Sequence, residues 1–166
     1  MYATTYIKAK DVADAVDQLK GADEGKLLAG GQTLVPTLKQ RLTSSGRLID
    51  LTDTGLSGIS DEGSSIRIGA MTRHVEVETS ELVKRAIPAL AALAGGIGDR
   101  QVRNWGTIGG SVANNDPSAC YPSAVMALDG TVHTDKRDIV ASDYFKGMFE
   151  TALDEDEVIT AVSFPK

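Results

Sequence analysis

Two glycine-rich segments constrain this chain of 166 residues more than any other feature: Ala29-Gly30-Gly31-Gln32-Thr33 and Thr107-Ile108-Gly109-Gly110-Ser111. Each follows a short apolar or aromatic run and sets paired glycines beside a hydroxyl residue. Without a Cβ the backbone takes φ > 0 easily and comes close to a ligand. Successive N–H groups then turn into one concavity, which suits an oxyanion. A lone Gly-Gly pair is usually only a tight connection. Two of them, in a chain with few candidate catalytic side chains, predict a cradle for a diphosphate cofactor.

Composition removes several alternatives. With 42% hydrophobic and 24% charged residues the chain reads as an ordinary globular protein. Lys+Arg 17 against Asp+Glu 23 leaves a net charge of -6 with no basic block, so no nucleic-acid footprint is expected. The longest apolar stretch, Ile87 to Ile97, is broken by Pro88 and two glycines and is too short for membrane insertion. Met1 to Thr5 carries no signal-peptide pattern, and the expected location is cytoplasmic. The single cysteine, Cys120, allows neither an internal disulfide nor a cluster held by this chain alone. His74 and His133 lack the spacing of a helical metal pair and read as surface or packing residues. No metal ligand set is expected, and any redox chemistry must come from an organic cofactor.

The first third reads β-α-β-α-β. Tyr6-Ile7 forms a strand, and Asp11 caps a helix with Val12, Val16 and Leu19 on its apolar face, ended by Gly21. Lys26 to Ala29 runs as a strand into the first glycine turn. Leu34, Val35, Leu38 and Leu42 then follow at helical spacing, and Arg47 to Leu51 is a further strand. A strand, a glycine turn and a helix start in that order make a phosphate site. Beyond Asp53, Ser65 to Gly69 alternates as a half-wet strand. A helix that Pro88 either kinks or re-starts is predicted over Glu81 to Ala94, another over Pro122 to Leu128, and a short one over Asp143 to Phe149 capped by Ser142. Thr131 to His133, Asp138 to Ala141 and Val158 to Phe164 are strand candidates. The fold class expected is α+β: a small three-stranded βαβ lobe over residues 1–53, then a larger, mostly antiparallel lobe over 54–166, together one binding domain.

Neither common nucleotide motif is present. Gly96-Ile97-Gly98 lacks the third glycine of a dinucleotide fingerprint, and Gly21 to Lys26 is one residue short of a P-loop. No nucleophile elbow, carboxylate pair or Cys–His pairing stands out, so no catalytic acid, base or nucleophile is assigned.

The stretch Leu27 to Pro36 resembles the first flavin-binding loop of molybdenum hydroxylase flavoproteins, the medium subunits of the carbon monoxide dehydrogenase and xanthine dehydrogenase type. Ile97 to Ser111 resembles the second, and Leu48 to Leu51, Ile68 to Thr72 and Asn114 to Pro117 resemble the connecting segments. The similarity runs from about Tyr6 to Pro165. It implies a two-lobed FAD module of the vanillyl-alcohol oxidase-like kind. Leu27, Leu28, Ala29, Gly30, Gly31, Gln32, Thr33 and Leu34 would then wrap the FAD pyrophosphate, met from the larger lobe by Thr107, Ile108, Gly109, Gly110 and Ser111. Ile97 would pack near the flavin, and Ile159 or Thr160 would offer backbone to its ring. Cys120 stands where many relatives carry a ligand-binding aspartate; either Asp116 takes that part or FAD is held differently. Arg100, Gln101, Arg103 and Trp105 would lie near the flavin and the face toward an iron–sulfur subunit.

The resemblance further implies partners, an iron–sulfur small subunit and a molybdopterin large subunit, with FAD passing electrons from the cluster to an external acceptor. Relatives continue past Val158 to Pro165 into a third domain, so the sequence ending at Lys166 reads as lacking the usual C-terminal domain. A self-contained flavoprotein oxidase and a cofactor-free scaffold subunit are the alternatives.

Overall fold

Asp11 separates the first strand from the first helix. In the computed structural model, which describes Met1 to Lys166, its carboxylate accepts the Asp14 N–H at 2.8 Å and so caps the helix. Strand β1 (Thr5–Lys8) precedes helix α1 (Val12–Lys20), strand β2 (Gly25–Leu28), helix α2 (Leu34–Lys39) and strand β3 (Arg47–Asp50). The three strands pair in parallel, in the order β1-β3-β2, with Tyr6 and Lys26 flanking Leu48. Ala15, Val16, Ile49 and Leu51 form their core, which takes in Met71 and Val158 from much later in the chain.

The rest of the chain builds one antiparallel sheet with a helical cover. Strands β4 (Ile59–Asp61) and β5 (Ser65–Gly69) are followed by helices α3 (His74–Thr79), α4 (Glu81–Ala86), α5 (Pro88–Gly95), α6 (Arg100–Trp105), α7 (Ile108–Asn114) and α8 (Cys120–Ala127). Strands β6 (Thr131–Thr134) and β7 (Asp138–Val140), helix α9 (Ala141–Tyr144), the small hairpin β8 (Phe145–Gly147) and β9 (Glu150–Thr151), and strand β10 (Ile159–Pro165) complete it. The sheet order is β4-β5-β10-β6-β7. Its inner face, with Ile66, Ile68, Val132, Val162 and Phe164, shares one core with Val77, Leu90, Ile108, Val112 and Tyr121 of the helices. The outer face carries Arg67, Thr131, His133 and Ser163, none of them fully buried.

Several local expectations are corrected. Over Glu81 to Ala94 the helix re-starts at Pro88 rather than kinking there, because Ile87 leaves helical geometry (φ −142°, ψ 69°) and Pro88 starts α5. The helix expected over Asp143 to Phe149 is only α9, starting at Ala141 rather than behind a Ser142 cap. Asn115 explains the change: its amide donates to the carbonyls of Gly147 at 2.8 Å and Glu150 at 2.9 Å, holding the chain as a hairpin. Leu42 is not on a helical face, since α2 ends at Lys39 and Leu42 is 73% exposed. The second glycine segment is not a turn: Thr107 caps α7, and Gly109 and Gly110 lie within that helix.

Candidate functional site

A cleft of about 710 Å³ opens between the two sheets, a size typical of small-molecule and cofactor sites. The end of β2 and the segment into α2 line one wall. The β5–α3 connection, the start of α7 and the start of β10 line the other. The glycines that shape it act in different ways. A Cβ on Gly30 would overlap the Trp105 carbonyl, so the two glycine segments touch backbone to backbone. Gly109 also packs closely on Ala70, where a Cβ would lie 2.7 Å from the carbonyl oxygen. Gly31 alone among the four glycines of the two segments needs the left-handed region, with φ +71°. A Cβ on Gly110 would stand 3.5 Å from the Ala29 side chain, so the walls are close here too.

The run of free backbone N–H groups lies on one wall. The N–H groups from Ala29 through Leu34 donate to no acceptor in the chain; the first to be used beyond them is Val35, which donates to the Gly31 carbonyl at 3.0 Å. By contrast, Ile108 donates to Thr72 at 3.1 Å and Gly109 to Ala70 at 2.9 Å, both to carbonyl oxygens. Gly110 donates to Thr107 Oγ1 at 3.2 Å and Ser111 to the Thr107 carbonyl at 3.1 Å. The expectation that both glycine segments offer successive amides is therefore corrected. The second offers the hydroxyls of Thr107 and Ser111 instead, two of its amides fixing α7 to the turn after β5 and two closing its own first turn on Thr107.

At that second wall His74 takes the packing alternative of the two read for it, in a supporting role that its spacing did not indicate. His74 is buried beneath Gly106, where a Cβ would come within 2.5 Å of its Nε2. Its ring is 5.2 Å from that of Tyr121, and neither His74 Nδ1 nor the Tyr121 hydroxyl has a partner. Desolvation, with the nearby Arg103 charge second, lowers the His74 pKa to about 4, so the imidazole is neutral at ordinary pH. Arg103, expected near the flavin and the face toward a partner subunit, ties the loop before α6 to α3. It donates to the carbonyls of Ile97 and Gly98, each at 3.1 Å, and pairs with Glu78 at 3.0 Å. The available hint was Gly106, a third glycine beside the pair, whose missing side chain makes room for a ring. Trp105 stays 63% exposed, with Arg73 stacked over it.

Most of the residues expected at a ligand line this cleft: Leu27, Ala29 to Leu34, Ile97, Thr107, Gly109, Gly110, Ser111, Asp116 and Ile159. Leu28, Ile108 and Cys120 do not. Leu28 turns back to pack beside Gly31, Ile108 is a core residue with no exposed surface, and Cys120 is half-buried at the first turn of α8. Asp116 is engaged locally, its Oδ1 accepting from the Ser118 N–H and hydroxyl, which holds its carboxyl below the usual range.

A parallel three-stranded unit joined to an antiparallel sheet, with a cleft walled by unpaired amides and hydroxyls, defines a two-lobed module for a phosphate-bearing cofactor. The whole chain from residue 2 to 166 matches the family described as the FAD binding domain in molybdopterin dehydrogenase, and the chain belongs to that family. It is 37% identical over 166 residues to the carbon monoxide dehydrogenase medium chain of Hydrogenophaga pseudoflava, covering 96% of this chain and 58% of that one. It is 34% identical to the glyceraldehyde dehydrogenase medium chain of Sulfolobus acidocaldarius, covering 97% of this chain and 59% of the relative. Among solved structures, a carbon monoxide dehydrogenase from H. pseudoflava superposes with a TM-score of 0.96 at 36% identity, covering 99% of this chain and 59% of that one. Quinoline 2-oxidoreductase from Pseudomonas putida 86 superposes with a TM-score of 0.95 at 30% identity, again over 99% and 59% of the two chains. The chain thus spans about three fifths of the length of the relatives it matches.

Proposed function

We propose that this chain is the flavin module of a molybdenum hydroxylase-type dehydrogenase, with the FAD pyrophosphate held by the segment Ala29 to Leu34. The carrying observation is the uninterrupted run of N–H groups there with no acceptor in the chain. Polar groups left in that state along a cleft are groups a ligand can satisfy, and backbone amides suit a diphosphate without a lysine or arginine cage. Thr107 and Ser111 would add hydroxyl donors from the facing wall. Gly31 provides the turn, Gly30 and Gly109 the close approach of the walls, and Leu27, Ile97 and Ile159 apolar surface for the rings. Bound FAD would supply the electron-transfer chemistry; the side chains of this chain form no group of three or more metal ligands, and its one cysteine is free. A chain with one cysteine cannot itself hold an iron–sulfur cluster. Electrons would then arrive from a separate iron–sulfur subunit, with substrate oxidised on a molybdopterin subunit, and leave to an external acceptor. The two lobes would divide at residues 53 and 54, and the location would be cytoplasmic; no helix is long and apolar enough to cross a membrane.

The test is a fluorescence titration with FAD. One equivalent is expected to bind, and Gly31→Val, which combines a strained φ with a contact to Val35, should weaken binding at least about tenfold. Circular dichroism should show the fold retained. Unchanged affinity in that variant would contradict the cradle.

A further inference from the structure

On the outer face of the large sheet, away from the cleft, strands β7, β6 and β10 place three side chains in a hydrogen-bonded row. His133 pairs with Asp138 across the β6–β7 ladder. Its Nδ1 lies 2.6 Å from Asp138 Oδ1, and its Nε2 lies 2.8 Å from Ser163 Oγ. An ionised carboxylate only accepts, so Nδ1 carries the proton and donates it. In the neutral ring Nε2 is then the acceptor, and the Ser163 hydroxyl donates to it. A hydroxyl held against a base whose other nitrogen is oriented by a carboxylate is the arrangement that activates a nucleophile. The ring is shielded, with 15% of its side-chain surface accessible.

A cation stands on the other side of the serine. Arg67 is the cross-strand partner of Ser163 in the β10–β5 ladder, on the same face. Its nearest carboxylate, Glu62, is 3.8 Å away, beyond hydrogen-bonding distance. Arg67 lines a second cleft, of about 410 Å³, with Ser57, Ser60, Gly69, Thr160 and Ala161. A nucleophile, its base and an under-used guanidinium therefore share one face of the sheet, and the guanidinium alone of the three also lines that cleft.

We propose that Ser163 is an activated nucleophile that takes the acyl group of a carboxylic ester, with His133 as its base, Asp138 as a positioning residue and Arg67 favouring acyl groups that carry a negative charge. Ser163 Oγ bonds to the ester carbonyl carbon as its proton passes to His133 Nε2. The ester C–O bond then breaks, and that proton leaves with the alkoxide as an alcohol. Water releases the acid by the reverse path, giving one proton to Nε2, which returns it to Ser163 Oγ. Ester and water thus become acid and alcohol, with no oxidant or reductant.

The test uses p-nitrophenyl acetate and mono-p-nitrophenyl succinate, with mass mapping of the acylated peptide after an acid quench. Release of p-nitrophenolate with acylation at Ser163 is expected, faster for the succinyl ester. Ser163→Ala should abolish both, and His133→Gln should slow acylation about a hundredfold or more, as loss of a positioned base does. Asp138→Asn, at an exposed position that leaves the core intact, should also slow it and shift its pH profile. Arg67→Gln should remove the preference for the succinyl ester. FAD titration of each variant reports folding independently. Release as fast in Ser163→Ala as in the unaltered chain, acylation on lysines only, or full rates in both His133→Gln and Asp138→Asn would overturn the proposal and leave the row as a strand-to-strand tie.

Discussion

At the scale of single residues, the glycines around the cleft separate into those that need a conformation and those that need space. Gly30 needs space: the atom its Cβ would meet is a backbone carbonyl, which cannot swing aside as a side chain can. Gly30→Ala should therefore cost about 1–3 kcal/mol of stability, the usual range for overpacking. It should also part the walls of the cleft and weaken FAD binding. Gly55 makes the contrast, since its φ is +75° and its Cβ would meet nothing within 4 Å. Gly55→Ala should cost about 1 kcal/mol through φ alone and leave FAD affinity unchanged. Thermal denaturation with and without FAD measures both; equal losses of affinity in the two variants would contradict this separation. The sequence made the glycine pairs legible because two of them, each beside a hydroxyl residue, occur in one chain. It hid which of them is left-handed, which depends on the path of the chain, and it hid His74, whose burial depends on an element far along the chain.

At the scale of elements, the β6–β7 hairpin is tied to the segment that feeds β10. Glu157 is buried, and its carboxylate accepts from Arg137 at 3.0 and 2.9 Å, Thr134 at 2.7 Å and the Asp154 N–H at 2.9 Å. Arg137 is the main cause that holds the Glu157 pKa at about 2, against an ordinary 4.5. Its contribution to stability is thus complete above pH 4.5 and is lost as pH falls from there toward 2. Glu157→Gln should cost about 1.5–3 kcal/mol at neutral pH, as hydrogen bonds to a charged group do, and should flatten the acid limb of the stability curve. Urea unfolding at pH 7 and pH 3 checks this; an acid limb unchanged in the variant would contradict it. Strands with clear alternation, β5 and β10, were readable from the sequence, as was α1 with its Asp11 cap. Helices α3, α6 and α7 were not, because six or seven residues carry too little periodicity to stand apart from loop. The Asp138–His133–Ser163 row was equally invisible, since only the strand pairing brings those positions together.

At the scale of the whole molecule, the cleft exists because two sheets of different kinds are joined through a shared edge of core. Met71 and Val158, from the large-sheet half of the chain, pack into the core of the parallel sheet. Lys20, ending α1, reaches Asp156 at 3.3 Å, beside the entry to β10. The walls are thereby fixed before any ligand arrives, which lowers the ordering cost of binding. The two halves are unequal in what they offer: one wall has amides without partners, and the other has amides already used in folding. Hydrogen–deuterium exchange of the chain with and without FAD reads that difference directly. Amides from Ala29 to Leu34 should exchange freely alone and become strongly protected with FAD, while those of Ile108 to Ser111 should be slow in both states. Protection on FAD binding confined to the second segment, with Ala29 to Leu34 unchanged, would contradict the assignment of the pyrophosphate to the first.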